Sequence, residues 1–209
     1  LIVAFYLLYV LKSKMVARWS LAARCAVAIG VASCFLFVAF CWTTNHLLGV
    51  NSANWPEVYR TGSFVASLPS ALLRLLTLVA GAFSTMTALA GCQLWGQFRS
   101  SEVAPHDVEV RRMATLSVAS LTMAAVFGVI YTMQLDGPIQ NNLIGRPGLA
   151  WLSAVVVGVV TQIAAWIFIL RKATFVAATL AVITVGNIVS LAGTAALRKI
   201  VRLSQIDLS

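Results

Sequence analysis

Long apolar runs separated by short basic or polar segments make up this chain. The first run, residues 1–11, ends at Lys12 and Lys14, and the second, 20–46, is interrupted only by Arg24. A polar loop at 49–62 follows, with Asn51, Asn54, Trp55, Pro56, Glu57, Tyr59 and Arg60. The third run, 67–98, is broken only by Arg74, and Ser67 with Pro69 two residues on reads as its helix start. The most charged segment, 99–112, holds Arg99, Glu102, His106, Asp107, Glu109, Arg111 and Arg112. Three more runs cover 113–134, 148–170 and 173–197, separated by Asp136-Gly137-Pro138, which reads as a turn, and by Arg171-Lys172. The basic residues Arg198, Lys199 and Arg202 close the chain.

These runs predict helices. None alternates with a period of two, which excludes an outer-membrane barrel. A helix needs about 20 apolar residues to cross a bilayer, and the five runs from 20 to 197 meet that length. The expected fold is all-α, a polytopic transmembrane helix bundle forming one domain over 1–209. Residues 1–11 reach only about 17 Å as a helix, against the ~30 Å of a hydrocarbon core. No basic stretch precedes them, as a signal peptide requires, so they read as the tail of a span begun upstream of Leu1.

Composition strengthens the membrane reading. Of 209 residues, 60% are apolar and 10% charged. A soluble domain carries about 25% charged residues, so a soluble enzyme, a disordered chain and a coiled coil are excluded. The net charge of +9 comes from 15 Lys and Arg against 6 Asp and Glu. No basic stripe with interleaved aromatics is present, which argues against a nucleic-acid partner. The cations instead gather at the ends of spans, as the positive-inside rule requires. With the Lys12 side taken as inner, that side holds Lys12, Lys14, Arg18, Arg24, Arg99, Arg111, Arg112, Arg171 and Lys172. The outer side holds Arg60, Arg146, Arg198, Lys199 and Arg202. The bias fits a bacterial inner membrane, with the basic tail pulling against it.

Small residues recur every four positions in several spans: Ala22, Ala26, Gly30 and Cys34; Ala80, Ser84, Ala88 and Cys92; Gly186, Ser190 and Thr194. Such stripes let helix backbones approach closely. Asn187 and Gln162, polar and in mid-span, are expected to hydrogen-bond across helices. Cys25, Cys34, Cys41 and Cys92 form no CxxC pair and read as buried free thiols.

Candidate chemistry is sparse. His46 ends the second span and His106 lies in the charged segment, a bilayer apart, so the two cannot share a metal or a haem. No Asp or Glu stands at mid-membrane depth, which disfavours a proton-coupled carrier. Arg74 is the charge to explain. Either it snorkels to the interface, or it pairs with a carboxylate such as Glu57, a haem propionate or a quinone acceptor. Trp55, Tyr59 and Trp151 fit an outer aromatic belt, and Trp95 an inner one.

The stretch Phe40-Cys-Trp-Thr-Thr-Asn-His-Leu-Leu, then Asn54-Trp-Pro-Glu-Val-Tyr, Leu-Pro-Ser, Arg74 and Val-Ala-Gly81, resembles the cytochrome bd quinol oxidase subunit I superfamily. It is similar to that family's shorter bd-like membrane cytochromes, and Leu197-Arg-Lys-Ile-Val-Arg202 resembles the basic close of their last helix. The match covers roughly residues 36–81 and the last dozen. It implies a subunit of a respiratory electron-transfer complex, with haem b or quinone as cofactor and with other membrane and peripheral subunits as partners. His46, Arg74, Trp55 and Glu57 become the cofactor-binding candidates. The family's early haem-ligand histidines have no counterpart here, and His46 stands where relatives often carry Met. The haem ligands then lie upstream of Leu1 or on partner chains, or the chain is a haem-poor scaffold.

Three readings follow: an electron-transfer subunit exchanging electrons with quinone, a non-redox membrane anchor of a larger complex, and a small-solute carrier. The carrier ranks last, because no internal repeat relates the two halves.

Overall fold

A computed structural model describes residues 2–14, 16–50, 55–62, 68–100 and 107–207. Among the described residues the chain is all-α, without strands. The helices are α1 (Ile2–Lys12), α2 (Leu21–Val50), α3 (Trp55–Thr61), α4 (Leu68–Ser100), α5 (Asp107–Met133), α6 (Gly137–Ile144), α7 (Arg146–Lys172) and α8 (Ala177–Asp207), with a short 3-10 turn at Val16–Arg18. Five segments are long and apolar enough to cross a membrane: Leu21–Asn45, Pro69–Gln97, Asp107–Met133, Arg146–Lys172 and Ala177–Ser204. They correspond to the five expected complete spans, and this is an integral membrane protein. At 1.5 Å per residue, α7 is about 40 Å long, more than a hydrocarbon core requires.

Four boundaries depart from the sequence reading. The loop at 49–62 contains the short helix α3. α5 begins at Asp107 rather than 113, because Asp107 and Glu109 in its first turn favour the positive end of the helix dipole. Asp136-Gly137-Pro138 opens α6 instead of making a simple turn. Asp136 is extended there (φ −60°, ψ 147°), and proline suits a first helical turn because its missing N–H would find no partner. α8 runs over Ala177–Asp207 rather than 173–197. Ala173 takes a left-handed conformation (φ 53°) and closes α7 by donating its N–H to the Ile169 carbonyl at 2.8 Å. Arg198, Lys199 and Arg202 are good helix formers and prolong the far end of α8.

The chain divides into two compact units, Leu1–Leu75 and Leu76–Ser209, with the boundary inside α4. In the first unit α1 packs on α2, with Phe5 and Phe35 edge to face at 5.6 Å and Ala4 fully buried. Very little of the apolar window of α2 is buried. A helix that stays apolar without being covered is a helix surrounded by lipid or by other chains.

In the second unit α7 and α8 form an antiparallel hairpin, and α5 packs on α7. The core joins Ala88, Val110, Ala114, Leu121, Ala165, Trp166, Ile169, Leu180 and Ile183. At the opposite end α6 lies against α7 and α8, where Ile139 and Leu143 meet Val201. There Asn142 Nδ2 donates to Ser204 Oγ at 3.0 Å.

Glycines set the closeness of the hairpin. A Cβ at Gly186 would lie 2.9 Å from Gln162 Cγ and 3.0 Å from the Gly158 carbonyl oxygen. A Cβ at Gly158 would meet Ser190 Oγ, and would lie 2.8 Å from the Gly186 carbonyl oxygen. Since backbone cannot step aside as a side chain can, Gly158→Ala is expected to lower stability by about 1–3 kcal/mol. Gly128→Ala on α5, where nothing lies within 4 Å of the added methyl, is expected to be neutral or to stabilise by up to about 1 kcal/mol. Thermal unfolding of the two variants in detergent checks the contrast.

Candidate functional site

The four cofactor-binding candidates, His46, Trp55, Glu57 and Arg74, lie in the first unit. His46 stands in α2, and its side chain lies outside the described residues, as does all of His106. Trp55 opens α3 and is 43% exposed. Glu57, in the first turn of α3, is exposed, and its backbone carbonyl accepts a bond from Thr61 Oγ1 at 2.8 Å. Arg74 is half-buried in the second turn of α4, between buried Ala71 and Leu75. Trp55 and Arg74 both take part in polar or ring interactions. The short helix α3 thus groups Trp55 with Glu57, while Arg74 is carried by a different helix of the same unit.

The second unit holds a polar seam that the sequence shows only in pieces. Gln162 is fully buried on α7; its Nε2 donates to the Gly158 carbonyl at 3.1 Å and to Ser190 Oγ on α8 at 3.2 Å. Thr85 on α4 donates to Asn187 Oδ1 on α8 at 3.3 Å. Cys92 Sγ and Thr184 Oγ1 lie 3.7 Å apart. The expected cross-helix bonds of Gln162 and Asn187 are therefore made. The stripe Ala80, Ser84, Ala88 is buried, whereas Ala22 and Ala26 of the α2 stripe are exposed. The cysteines are free, and Cys25 and Cys41 are exposed on α2 rather than buried. Among the described residues, α1 packs on α2 but leaves the Ala22–Ala26 face open.

The hydroxyls of the spans turn inward on their own helices. Ser117 and Ser120 donate to the carbonyls of Met113 and Leu116, and Thr161 and Thr184 to those of Val157 and Leu180. A membrane interior has no water to satisfy these groups, so the carbonyl one turn back is the nearest acceptor. Among the described residues of the second unit, Ser84 Oγ, Gln162 Oε1 and Trp166 Nε1 are buried without a hydrogen-bond partner. Beside the Gly158–Gly186 crossing opens an apolar groove of about 400 Å³, lined by Val157, Thr161, Val182 and Val185.

Every group in the seam is neutral: two amides, hydroxyls and a thiol. The bonds they make run between helices, Thr85 to Asn187 and Gln162 to Ser190. Among the described residues, no three His, Cys, Asp or Glu side chains are grouped to hold a metal. One signal for the seam was available in the sequence. Gly158 precedes Gln162 by four residues and Gly186 precedes Ser190 by four, so each helix sets a notch one turn from a polar group. Only pairing α7 with α8 turns those two spacings into one contact.

No protein-family model, curated protein or solved structure matches the chain. The functional reading therefore rests on the geometry of the two units.

Replacing Gln162 with Leu keeps the volume roughly constant and removes the bond to Ser190. Interhelical hydrogen bonds in membranes average about 0.6 kcal/mol and reach about 1.7, so Gln162→Leu is expected to cost no more than about 2 kcal/mol. Unfolding by a denaturing detergent, titrated into a mild one, measures it.

Proposed function

We propose that this chain is a membrane-embedded scaffold subunit that packs against partner helices in a larger assembly. The observation that carries this reading is the uncovered small-residue face of α2. Ala22 and Ala26 are exposed, and nothing lies within 4 Å of a Cβ added at Gly30. By contrast, Ala88 on α4 belongs to a buried core, and Gly158 on α7 and Gly186 on α8 are pressed against each other's helix. Small residues leave a shallow groove along a helix. Close packing of another helix gains dispersion energy there that loosely packed lipid tails do not supply. Ala22→Leu together with Ala26→Leu fills the groove. Native mass measurement of the complex purified in mild detergent should show partner chains with the unaltered protein and their loss with the double variant. A native mass equal to the chain alone would remove the scaffold reading.

An electron-transfer setting is the second reading, and Arg74 favours it. It is a charged side chain half-buried in an apolar helix, in the same unit as Trp55 and Glu57. A guanidinium presents planar donors and keeps its charge, which suits a haem propionate or a quinone carbonyl. The resemblance to bd-like cytochromes supports the same setting, with haem ligands supplied by other segments or chains. The span-end cations support placing it in a bacterial inner membrane. An optical spectrum of the intact complex should show a haem band, and Arg74→Ala should slow quinol oxidation at least tenfold. An unchanged rate together with the absence of a haem band would leave only the scaffold role.

A further inference from the structure

One end of the second unit concentrates cations that packing brings together from three separate helix ends. Val110 near the start of α5 and Ile169 near the end of α7 belong to the same buried core. Arg111 Nη1 donates to the Leu170 carbonyl oxygen at 2.8 Å and ties the two helix ends directly. Trp95, near the end of α4, packs against that core, and the Arg99 guanidinium stands over its ring at 5.5 Å. Arg99, Arg111, Arg112, Arg171 and Lys172 therefore share one end of the bundle, and all five are exposed. The described carboxylates at this end are Asp107 and Glu109, also exposed.

The surroundings of this cluster are apolar. Val108, one turn before Arg112 on α5, is 57% exposed, and Val176, just after the α7 end, is 44% exposed. Phe175 is half-buried against the core. Cations thus stand at the end of membrane-spanning helices with uncovered hydrocarbon beside them. That combination fits a molecule with an anionic head and apolar tails. Nucleic acid and acidic peptide would use the charge and leave the apolar surface in water.

We propose that this end of the second unit binds the phosphate of an anionic phospholipid. Arg112, Arg171 and Lys172 contact the phosphate, and acyl chains lie along Val108 and Val176. Arg111 is a positioning residue: its bond to Leu170 holds the α5 cations beside the α7 cations. Arg99, steadied over Trp95, extends the positive field on the α4 side. The charge is specific in place because three helix ends converge on it. Arg146 and Arg202, on the other end of the bundle, stand near α6 instead.

The test uses the full chain in detergent, titrated with phosphatidylglycerol and separately with phosphatidylcholine, with bound lipid counted by native mass measurement. Phosphatidylglycerol should be retained at least tenfold more tightly. The triple variant Arg112→Gln, Arg171→Gln, Lys172→Gln should lose on the order of 100-fold in that affinity, since each of the three basic residues near an anionic membrane surface contributes about 1 kcal/mol. The double variant Arg146→Gln, Arg202→Gln should retain it. A triple Arg112→Lys, Arg171→Lys, Lys172→Arg variant keeps the charge and should bind as the native chain does, which separates charge from any folding defect. Equal losses from the two ends of the bundle would overturn the site, as would equal affinity for the two lipids. Displacement of the lipid by inorganic phosphate at the same concentration would overturn the lipid assignment, because free phosphate has no tails to use the apolar surface.

Discussion

The close approach of α7 and α8 at Gly158 and Gly186 is the constraint on which the second unit depends. In water, burying apolar side chains would itself draw two helices together. In a bilayer the alternative neighbour is a lipid tail, equally apolar, so association must come from tighter packing and from polar contacts. Two glycines facing each other supply the first. They bring the backbones so close that one added methyl would meet a carbonyl oxygen. The second follows from the same closeness, since Gln162 reaches Ser190 only because the helices stand near enough.

Once that hairpin is set, the remaining elements find their places by ordinary complementarity. Trp166 fills the core between α4, α7 and α8; its ring tip would stand 3.4 Å from a Cβ at Gly91, so a third glycine marks where α4 comes near. Asn187 turns from α8 toward Thr85 of α4. Arg111 joins the start of α5 to the end of α7 by satisfying one of the carbonyls a helix end leaves open. At the other end α6 folds back, and Asn142 meets Ser204. Gln162 and Asn187, polar and in mid-span, are thereby tied to Ser190 and Thr85. The scaffold role proposed for the chain draws on these helix-to-helix contacts.

The first unit is built differently. α1 and α2 meet through Phe5 and Phe35, yet most of α2 stays uncovered. The same small-residue spacing that is buried in α4 is open in α2, so spacing alone did not decide whether a stripe is a contact. A neighbour is needed, and within this unit α1 is too short to cover a helix of 30 residues. Arg74 and Trp55, both drawn from the sequence, are carried on different helices of this unit.

What the sequence determined by itself was the membrane and the helices. Twenty or more apolar residues in a row have no stable form in lipid except one that satisfies its own backbone, and that reasoning needs no tertiary information. Gln162 and Asn187 were legible as cross-helix donors or acceptors for the same reason: a polar group in hydrocarbon must find a partner. Short elements were not legible. α3 and α6 read as loop and turn because proline and glycine weigh heavily in so few residues, while packing of Ile139 and Leu143 against Val201 supports the helix. Which helix meets which was decided only in three dimensions. Gly158 and Gly186 are 28 residues apart, and Arg111 lies 59 residues from Leu170. A linear pattern marks a notch or a charge, but only the pairing of helices decides what the notch receives and which charges act together.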